Sequence, residues 1–251
     1  DEFHERHLET DLGLALCREI QGVLNDDLRL LVMSATLEAE PVAALLGAAP
    51  VIRAEGRSFP VETVYLPPRR EAPLEREVAA AVALAAGRHP GDILAFLPGA
   101  AEIRRVAARL EAAPLGPEWN VAPLLGQLPR EAQDRAIALA PPGRRKAVLA
   151  TSIAETSLTI EGVQVVVDSG RMRVPRFDVG SGLTRLATVP VTRDAADQRR
   201  GRAGRTSPGV CYRLWSEAAQ AGRRPRRVPE ILEADLAPLA LELAVWGVED
   251  A

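Results

Sequence analysis

Leu8, Leu12, Leu16, Ile20 and Leu24 recur every fourth residue, which marks one face of an α-helix. "LRLLVMSAT" (28–36) follows, apolar until it ends in small hydroxyl residues. That pattern predicts a buried parallel strand whose carboxyl end opens onto a site. "VIRAEGRSFPVETVYLPP" (51–68) is strand-like but broken by proline, so a linker is expected around 55–72. From there apolar positions alternate between period 3.6 and short buried runs. Helix "LEREVAAAVALAAG" precedes strand "DILAFLP", and helix "AAEIRRVAARLEAA" precedes strand "WNVAPLL". Helix "REAQDRAIALA" precedes strands "KAVLAT" and "VQVVVDSG". This alternation predicts an α/β protein with a parallel sheet. "RVPRFDVGSGLTRLATV" (173–189) breaks the pattern, because two β-prone runs flanking "DVGSG" signal a hairpin. A helix over "DAADQRRGRAG", a closing strand at "GVCYRLW" and a new helical unit from residue 231 complete the chain.

Composition changes this picture little; charge distribution changes it more. The 251 residues carry a net charge of −3, which argues against a general polyanion binder. Residues 168–230 nevertheless hold 14 Arg and 6 acidic residues, a local excess of +8. Residues 1–60 hold 5 Arg and 11 acidic residues, a local −6. Such asymmetry fits a phosphate or nucleic-acid surface in the second half. Of the 31 cationic residues only Lys146 is lysine. Cys17 and Cys211 suggest neither a disulfide framework nor a zinc site. With no signal-peptide pattern and no apolar run near the roughly 20 residues of a membrane helix, a cytoplasmic location without membrane contact is expected.

Three stretches carry chemistry. "DEFH" (1–4) reads as a strand-end acidic pair, one carboxylate holding Mg²⁺ and the next polarising an attacking water. By itself it is a weak signal, since such residues usually make a solvated helix start. "ATSIAETSLTIEGVQVVVDSG" (150–170) crowds hydroxyls at a strand-to-helix turn, suited either to phosphate contact or to ordinary capping. "QRRGRAGR" (198–205) is the most specific. Arg202 and Arg205 stand three apart, on one face if helical. Arginine is preferred where a planar fork must match phosphate oxygens. Gly201 and Gly204 each cost about 1 kcal/mol inside a helix, which suggests close approach of another chain or ligand.

In order, "DEFH", "SAT", "LAFLPGAAEI", "ATSIAETSLTI" and "QRRGRAGR" resemble motifs II to VI of the superfamily 2 DEAH/RHA-type helicases. "VDSGRMRVPRFDVGSGLTRL" and "GVCYRLW" point within them to the bacterial HrpB type. The resemblance implies RecA-like parallel sheets. Residues 1–56 would be the C-terminal part of a first RecA-like, ATP-binding domain. Residues 57–222 would form a complete second one with a β-hairpin, and 223–251 would start a helical/winged-helix region.

It also implies roles. Asp1 and Glu2 would hold Mg²⁺ and act on the hydrolytic water, with His4 coupling the nucleotide site to the facing domain. Ser34 and Thr36 would link hydrolysis to movement along a strand. Gln198 would position the water, and Arg202 and Arg205 would reach the ATP phosphates as arginine fingers. Ser157 and Glu161 would approach the nucleotide. Gly99, Thr151, Ser152, Arg173, Arg176 and Arg185 would contact single-stranded or duplex nucleic acid, RNA favoured over DNA. Phe3 stands where the family has Ala, Ser152 where eukaryotic relatives have Asn, and Arg200 where "QRAGRAGR" has Ala. No G-x-x-x-x-G-K-[ST] occurs in the chain. The resemblance places that phosphate loop upstream, so a piece of a longer helicase is expected, with little ATP turnover of its own. A non-catalytic nucleic-acid- or protein-binding module is the competing expectation.

Overall fold

The computed structural model describes residues 1–35, 39–54, 56, 58–69, 72–155 and 158–248. In chain order the elements are α1 (Leu8–Val23), α2 (Ala39–Leu45), β1 (Val61–Tyr65), α3 (Leu74–Arg88), β2 (Asp92–Phe96), α4 (Ala100–Ala112), β3 (Trp119–Leu124) and α5 (Arg130–Ile137). They continue as β4 (Arg145–Ala150), β5 (Val163–Asp168), β6 (Arg171–Asp178), β7 (Leu183–Pro190), α6 (Arg193–Gly201), β8 (Gly209–Arg213), α7 (Glu217–Ala221) and α8 (Ala237–Val245). The chain divides into two compact units: residues 1–55, 174–187 and 227–251, and residues 56–173 and 188–226.

The second unit is a six-stranded sheet in the order β1-β8-β5-β2-β4-β3, and every pairing in it is parallel. Strand alternation sorts its apolar residues onto two faces. Ile93, Ala95 and Leu97 pack with Ala147, Leu149, Val165 and Val167 against Val78, Val82, Ile103 and Val106 of α3 and α4. Leu94 and Phe96 face the other way, with Val148, Val166 and Cys211, toward Ala136 of α5 and Ala203. Both faces are covered, so β2 is buried along its whole length, as expected of a parallel sheet. Helix α3 buries Val78, Ala81, Val82 and Ala85, the i, i+3, i+4, i+7 stripe that its sequence encodes.

Lys146 explains its own singularity. Its ammonium donates to the carbonyls of Ala136 (2.9 Å), Ile137 (3.1 Å) and Ala138, acceptors that the end of α5 leaves without intrahelical partners. Three donors on one nitrogen suit three converging carbonyls, which a planar guanidinium fork would meet poorly. Burial pulls its pKa down, partly offset by the charges of Asp92 and Glu161. Cys211 is buried in β8, and burial together with the Asp168 charge pushes its thiol up to about 12. It is an inert core residue.

Two expectations need correction. Residues 28–34 form no strand, and Leu31 and Met33 are 78% and 46% exposed. Among the described residues no neighbouring segment supplies a ladder, and an extended segment without one is not a sheet strand. The expected linker at 55–72 contains β1, whose residues Val61 to Tyr65 pair with Gly209 to Arg213. The strand-like character of this stretch was readable, but its partner lies far along the chain, so its place in the sheet was not.

In the first unit only Phe3 is buried among the described residues. Its backbone N–H bonds the Met33 carbonyl at 3.0 Å. Helix α1 starts where the Glu230 carboxylate accepts from the Leu8 N–H at 2.9 Å, filling one orphan donor of the first turn. Strands β6 and β7 form a separate two-stranded sheet. Its turn is built by Asp178, whose side chain accepts from the Gly180 N–H at 3.2 Å and the Ser181 hydroxyl at 2.7 Å. Gly182 closes it at φ +65°.

Candidate functional site at the carboxyl edge of the sheet

In the six-stranded unit the sequence-selected residues collect where parallel strands end. The Leu97 N–H bonds the Ala150 carbonyl at 2.8 Å, and the Ser169 N–H bonds the Phe96 carbonyl at 3.2 Å. The ends of β2, β4 and β5 therefore lie side by side. Gly99 follows β2, Thr151 and Ser152 follow β4, and Asp168-Ser169-Gly170 closes β5. Open parallel sheets bind ligands at this edge. Gly99 is buried at the start of α4, and a Cβ there would run into the Arg173 guanidinium. Arg173 in turn pairs with Glu102 at 3.1 Å.

The arginine-rich segment resolves into four different environments. Arg199 is fully buried. Its guanidinium meets the Glu155 carboxylate at 2.5 Å and Asp168 at 2.9 Å, donates to the Arg171 carbonyl at 3.2 Å, and lies 4.9 Å from the Phe96 ring centroid. Burial alone would pull its pKa down, but the charges of Glu155 and Asp168 reverse this and hold it up. Arg200 is half exposed, with Asp197 at 3.8 Å. Arg202 is buried and donates to the carbonyls of Leu158 (2.7 Å) and Glu155. Arg205 is exposed and donates to the Thr159 hydroxyl at 2.7 Å.

Arg202 and Arg205 do not share a helical face, because α6 stops at Gly201 and a tighter turn spans Arg202–Gly204. They do reach residues close in sequence, Arg202 the carbonyls of Glu155 and Leu158 and Arg205 the hydroxyl of Thr159. Gln198 is partly buried on α6, and Glu161 is exposed with its N–H on the Ile137 carbonyl. Thr36 and Ser157 lie outside the described residues.

The two glycines behave differently. A Cβ on Gly204 would sit 2.6 Å from the Phe59 carbonyl oxygen and 2.7 Å from Val61, whereas one on Gly201 meets nothing within 4 Å. Close approach therefore accounts for Gly204 alone. Gly204→Ala is expected to destabilise the six-stranded unit by about 1–3 kcal/mol through overpacking. Gly201→Ala should be neutral or stabilise by about 0.5–1 kcal/mol. Urea unfolding of both variants checks the pair, and equal midpoints would refute it.

In the first unit the acidic motif meets the "SAT" segment. The Glu2 carboxylate lies 3.5 Å from His4 Nδ1, and the same nitrogen lies 3.2 Å from the Ser34 hydroxyl. Asp1 is exposed, with one carboxylate oxygen accepting from the Glu2 N–H at 2.8 Å. Glu2 sits at φ +53°, a left-handed conformation costing a non-glycine residue about 1–3 kcal/mol and concentrated at functional sites. No group of three or more His, Cys, Asp or Glu among the described residues is arranged to cage a metal. Mg²⁺ does not require one, since it is commonly held by one or two carboxylates plus substrate phosphates. The hard, accessible oxygens of Asp1 and Glu2 fit that habit. Arg176 pairs with Glu233 at 3.6 Å, and Arg185 is exposed on β7.

Comparison with known proteins agrees with this geometry. The family described as helicase conserved C-terminal domain matches residues 76–207. The chain superposes over its whole length on the Escherichia coli DEAH/RHA helicase HrpB, with a TM-score of 0.95 and 48% identity, covering 32% of that chain. The chain belongs to the DEAH/RHA helicases. Its six-stranded sheet is the RecA-like C-terminal helicase domain of that family. The ATP-dependent RNA helicase HrpB of E. coli K12 is 48% identical over 250 residues, all of this chain and 31% of the relative. The pre-mRNA-splicing factor ATP-dependent RNA helicase prp22 of Schizosaccharomyces pombe is 40% identical over 258 residues, 22% of its length. The chain thus spans less than a third of the curated relatives it matches. No helix among the described residues is long and apolar enough to cross a membrane.

Within this DEAH/RHA helicase segment, the sequence reading missed the Glu155–Arg199–Asp168 triad. One signal was available. Asp168 ends the apolar run "VQVVVD", and a carboxylate buried there requires a cationic partner.

Proposed function

We propose that the chain is a fragment of an ATP-dependent nucleic-acid helicase that couples ATP hydrolysis to translocation and unwinding in the cytoplasm, with RNA the favoured strand. Residues 1–56 belong to the first RecA-like domain, 57–222 form the second, and 223–251 begin a helical/winged-helix region. The observation that carries the reading is what Arg202 and Arg205 bond: the carbonyls of Glu155 and Leu158 and the hydroxyl of Thr159, a few residues past Thr151 and Ser152 at the end of β4. A change at the nucleotide arginines is thereby a few residues away from groups suited to grip a phosphate backbone.

Arg205, exposed on a hydroxyl, presents its fork to the ATP phosphates. Arg202 reaches from the same turn by exchanging the Leu158 carbonyl for phosphate oxygen. Gln198 orients the attacking water, and Ser157 and Glu161 line the nucleotide approach. Asp1 holds Mg²⁺ with Glu2 beside it, and Glu2 takes the proton of the attacking water. When bound, Mg²⁺ supplies neutralisation of charge on the phosphate oxygens. His4, bonded to Ser34 and next to Glu2, relays the state of the acidic motif to the "SAT" segment, Thr36 included. Gly99, Thr151, Ser152, Arg173, Arg176 and Arg185 hold the strand by its backbone.

The 251-residue chain alone should show little or no ATP turnover. The full-length parent, containing the phosphate loop, should hydrolyse ATP faster with RNA than with DNA and unwind an RNA duplex. Strand-stimulated ATPase from the chain alone would sink the fragment reading. Absence of stimulation and unwinding by the parent on RNA, DNA and hybrid duplexes alike would leave a binding module instead.

A further inference from the structure

Outside the residues considered so far, four arginines from three distant segments converge beside the base of the hairpin. Arg223 is the hub. It donates to the Gly170 carbonyl at 3.1 Å and the Val191 carbonyl at 2.9 Å, and its guanidinium lies 4.1 Å from the Trp215 ring centroid. The Val191 N–H bonds the Gly170 carbonyl at 3.0 Å, and the Arg193 N–H bonds the Arg224 carbonyl at 2.9 Å. Arg171, Arg193 and Arg224 are therefore immediate backbone neighbours of one buried junction. All three are exposed, and none pairs with a carboxylate among the described residues.

The acids carried by the same segments are already engaged. Asp168 holds Arg199, and Asp194 accepts from the Thr192 hydroxyl and the Ala195 N–H at 2.7 Å. Burial lowers the pKa of Arg223; the Asp168 charge opposes this, and the like charges of Arg171, Arg199 and Arg213 add to it. Folding has thus concentrated positive charge here, with Asp168 offsetting only part of it.

We infer that Arg171, Arg193 and Arg224 form a backbone-reading nucleic-acid site that takes successive phosphodiesters of a single strand beside the hairpin. The inference rests on the strand-binding part of the proposed function. Guanidinium forks match phosphate oxygens, and three exposed arginines carried by three segments suit a repeating polyanion better than a single small anion. The aromatic ring at the junction cannot stack on a base, since Trp215 is 5% exposed and covered by Arg223. The site is therefore sequence-independent and strongly salt-dependent.

The test is fluorescence anisotropy of the 251-residue chain on a single-stranded RNA 20-mer, across a salt series. Three lost phosphate contacts at about 0.7 each should reduce the slope of log K against log salt by about 2 in the Arg171→Gln/Arg193→Gln/Arg224→Gln variant. With the curves meeting near 1 M salt, that slope change is a weakening of about 100-fold at 0.1 M. Arg135→Gln/Arg144→Gln removes exposed charge at the opposite edge of the sheet and should leave the slope unchanged. An unaltered slope in the triple variant, or an equal loss in the control, overturns the site while leaving the helicase reading intact. No strand binding by the unsubstituted chain overturns the site and the strand-binding role of the chain together. An identical fall in affinity for RNA and for an acidic polypeptide would reassign the patch to an acidic protein partner.

Discussion

Arg199→Met should cost the six-stranded unit about 3–5 kcal/mol, because it strips the cation from two buried carboxylates. Glu155 and Asp168 have no exposed side-chain surface, and Arg199 is a cation that both of them meet. The loss does not measure the worth of the pairs, since most of it is the penalty of keeping two buried carboxylates without that cation. The triple exchange Arg199→Met, Glu155→Gln, Asp168→Asn should therefore recover most of the stability. The stacking face on Phe96 survives in methionine, so the charge effect separates from packing. Urea unfolding of the three proteins is the measurement. A single variant within 1 kcal/mol of the parent chain, or a triple variant no better than the single one, would show that the triad does not hold these segments together.

Arg205→Ala in the full-length parent should lower ATP hydrolysis about 10³- to 10⁵-fold, the range of an arginine finger, while salt-sensitive strand binding stays largely in place. The contrast with Arg199 comes from burial. Among the described residues Arg205 bonds the Thr159 hydroxyl, and it is open to solvent, so its removal orphans no buried charge and should barely move stability. Steady-state ATPase with and without RNA, together with anisotropy on the strand, reads both effects. Collapse of strand binding with normal strand-independent turnover would reverse the assignment and move Arg205 to the nucleic acid.

The fold of the six-stranded unit was written in its periodicities. The 3.6-residue stripe of α3 and the alternating apolar runs of β2, β4 and β5 encode helices on a parallel sheet without reference to anything distant. The hairpin was equally legible, because "DVGSG" carries its own turn chemistry in Asp178 and Gly182. Residues 28–34 and β1 were not. Whether an extended segment becomes a strand depends on a ladder partner, and Val61–Tyr65 finds one only at Gly209–Arg213.

Motif order alone nominated the candidate residues, since each motif is a short stretch of contiguous residues with distinctive chemistry. What the motifs left open was the division of labour among Arg199, Arg200, Arg202 and Arg205. Identical side chains within seven positions differ in nothing that a sequence displays. Tertiary structure decided it by burial and by partners from elsewhere in the chain. Glu155 and Asp168 claim Arg199, the carbonyls of Glu155 and Leu158 claim Arg202, and Arg205 is left facing water. By itself the sequence determined that a helicase-type α/β domain would form and which loops are the candidates for its chemistry. Only the packed structure decided which arginine is buried between carboxylates and which stays exposed. A charge acquires its role from the dielectric and the counter-charges that folding places around it.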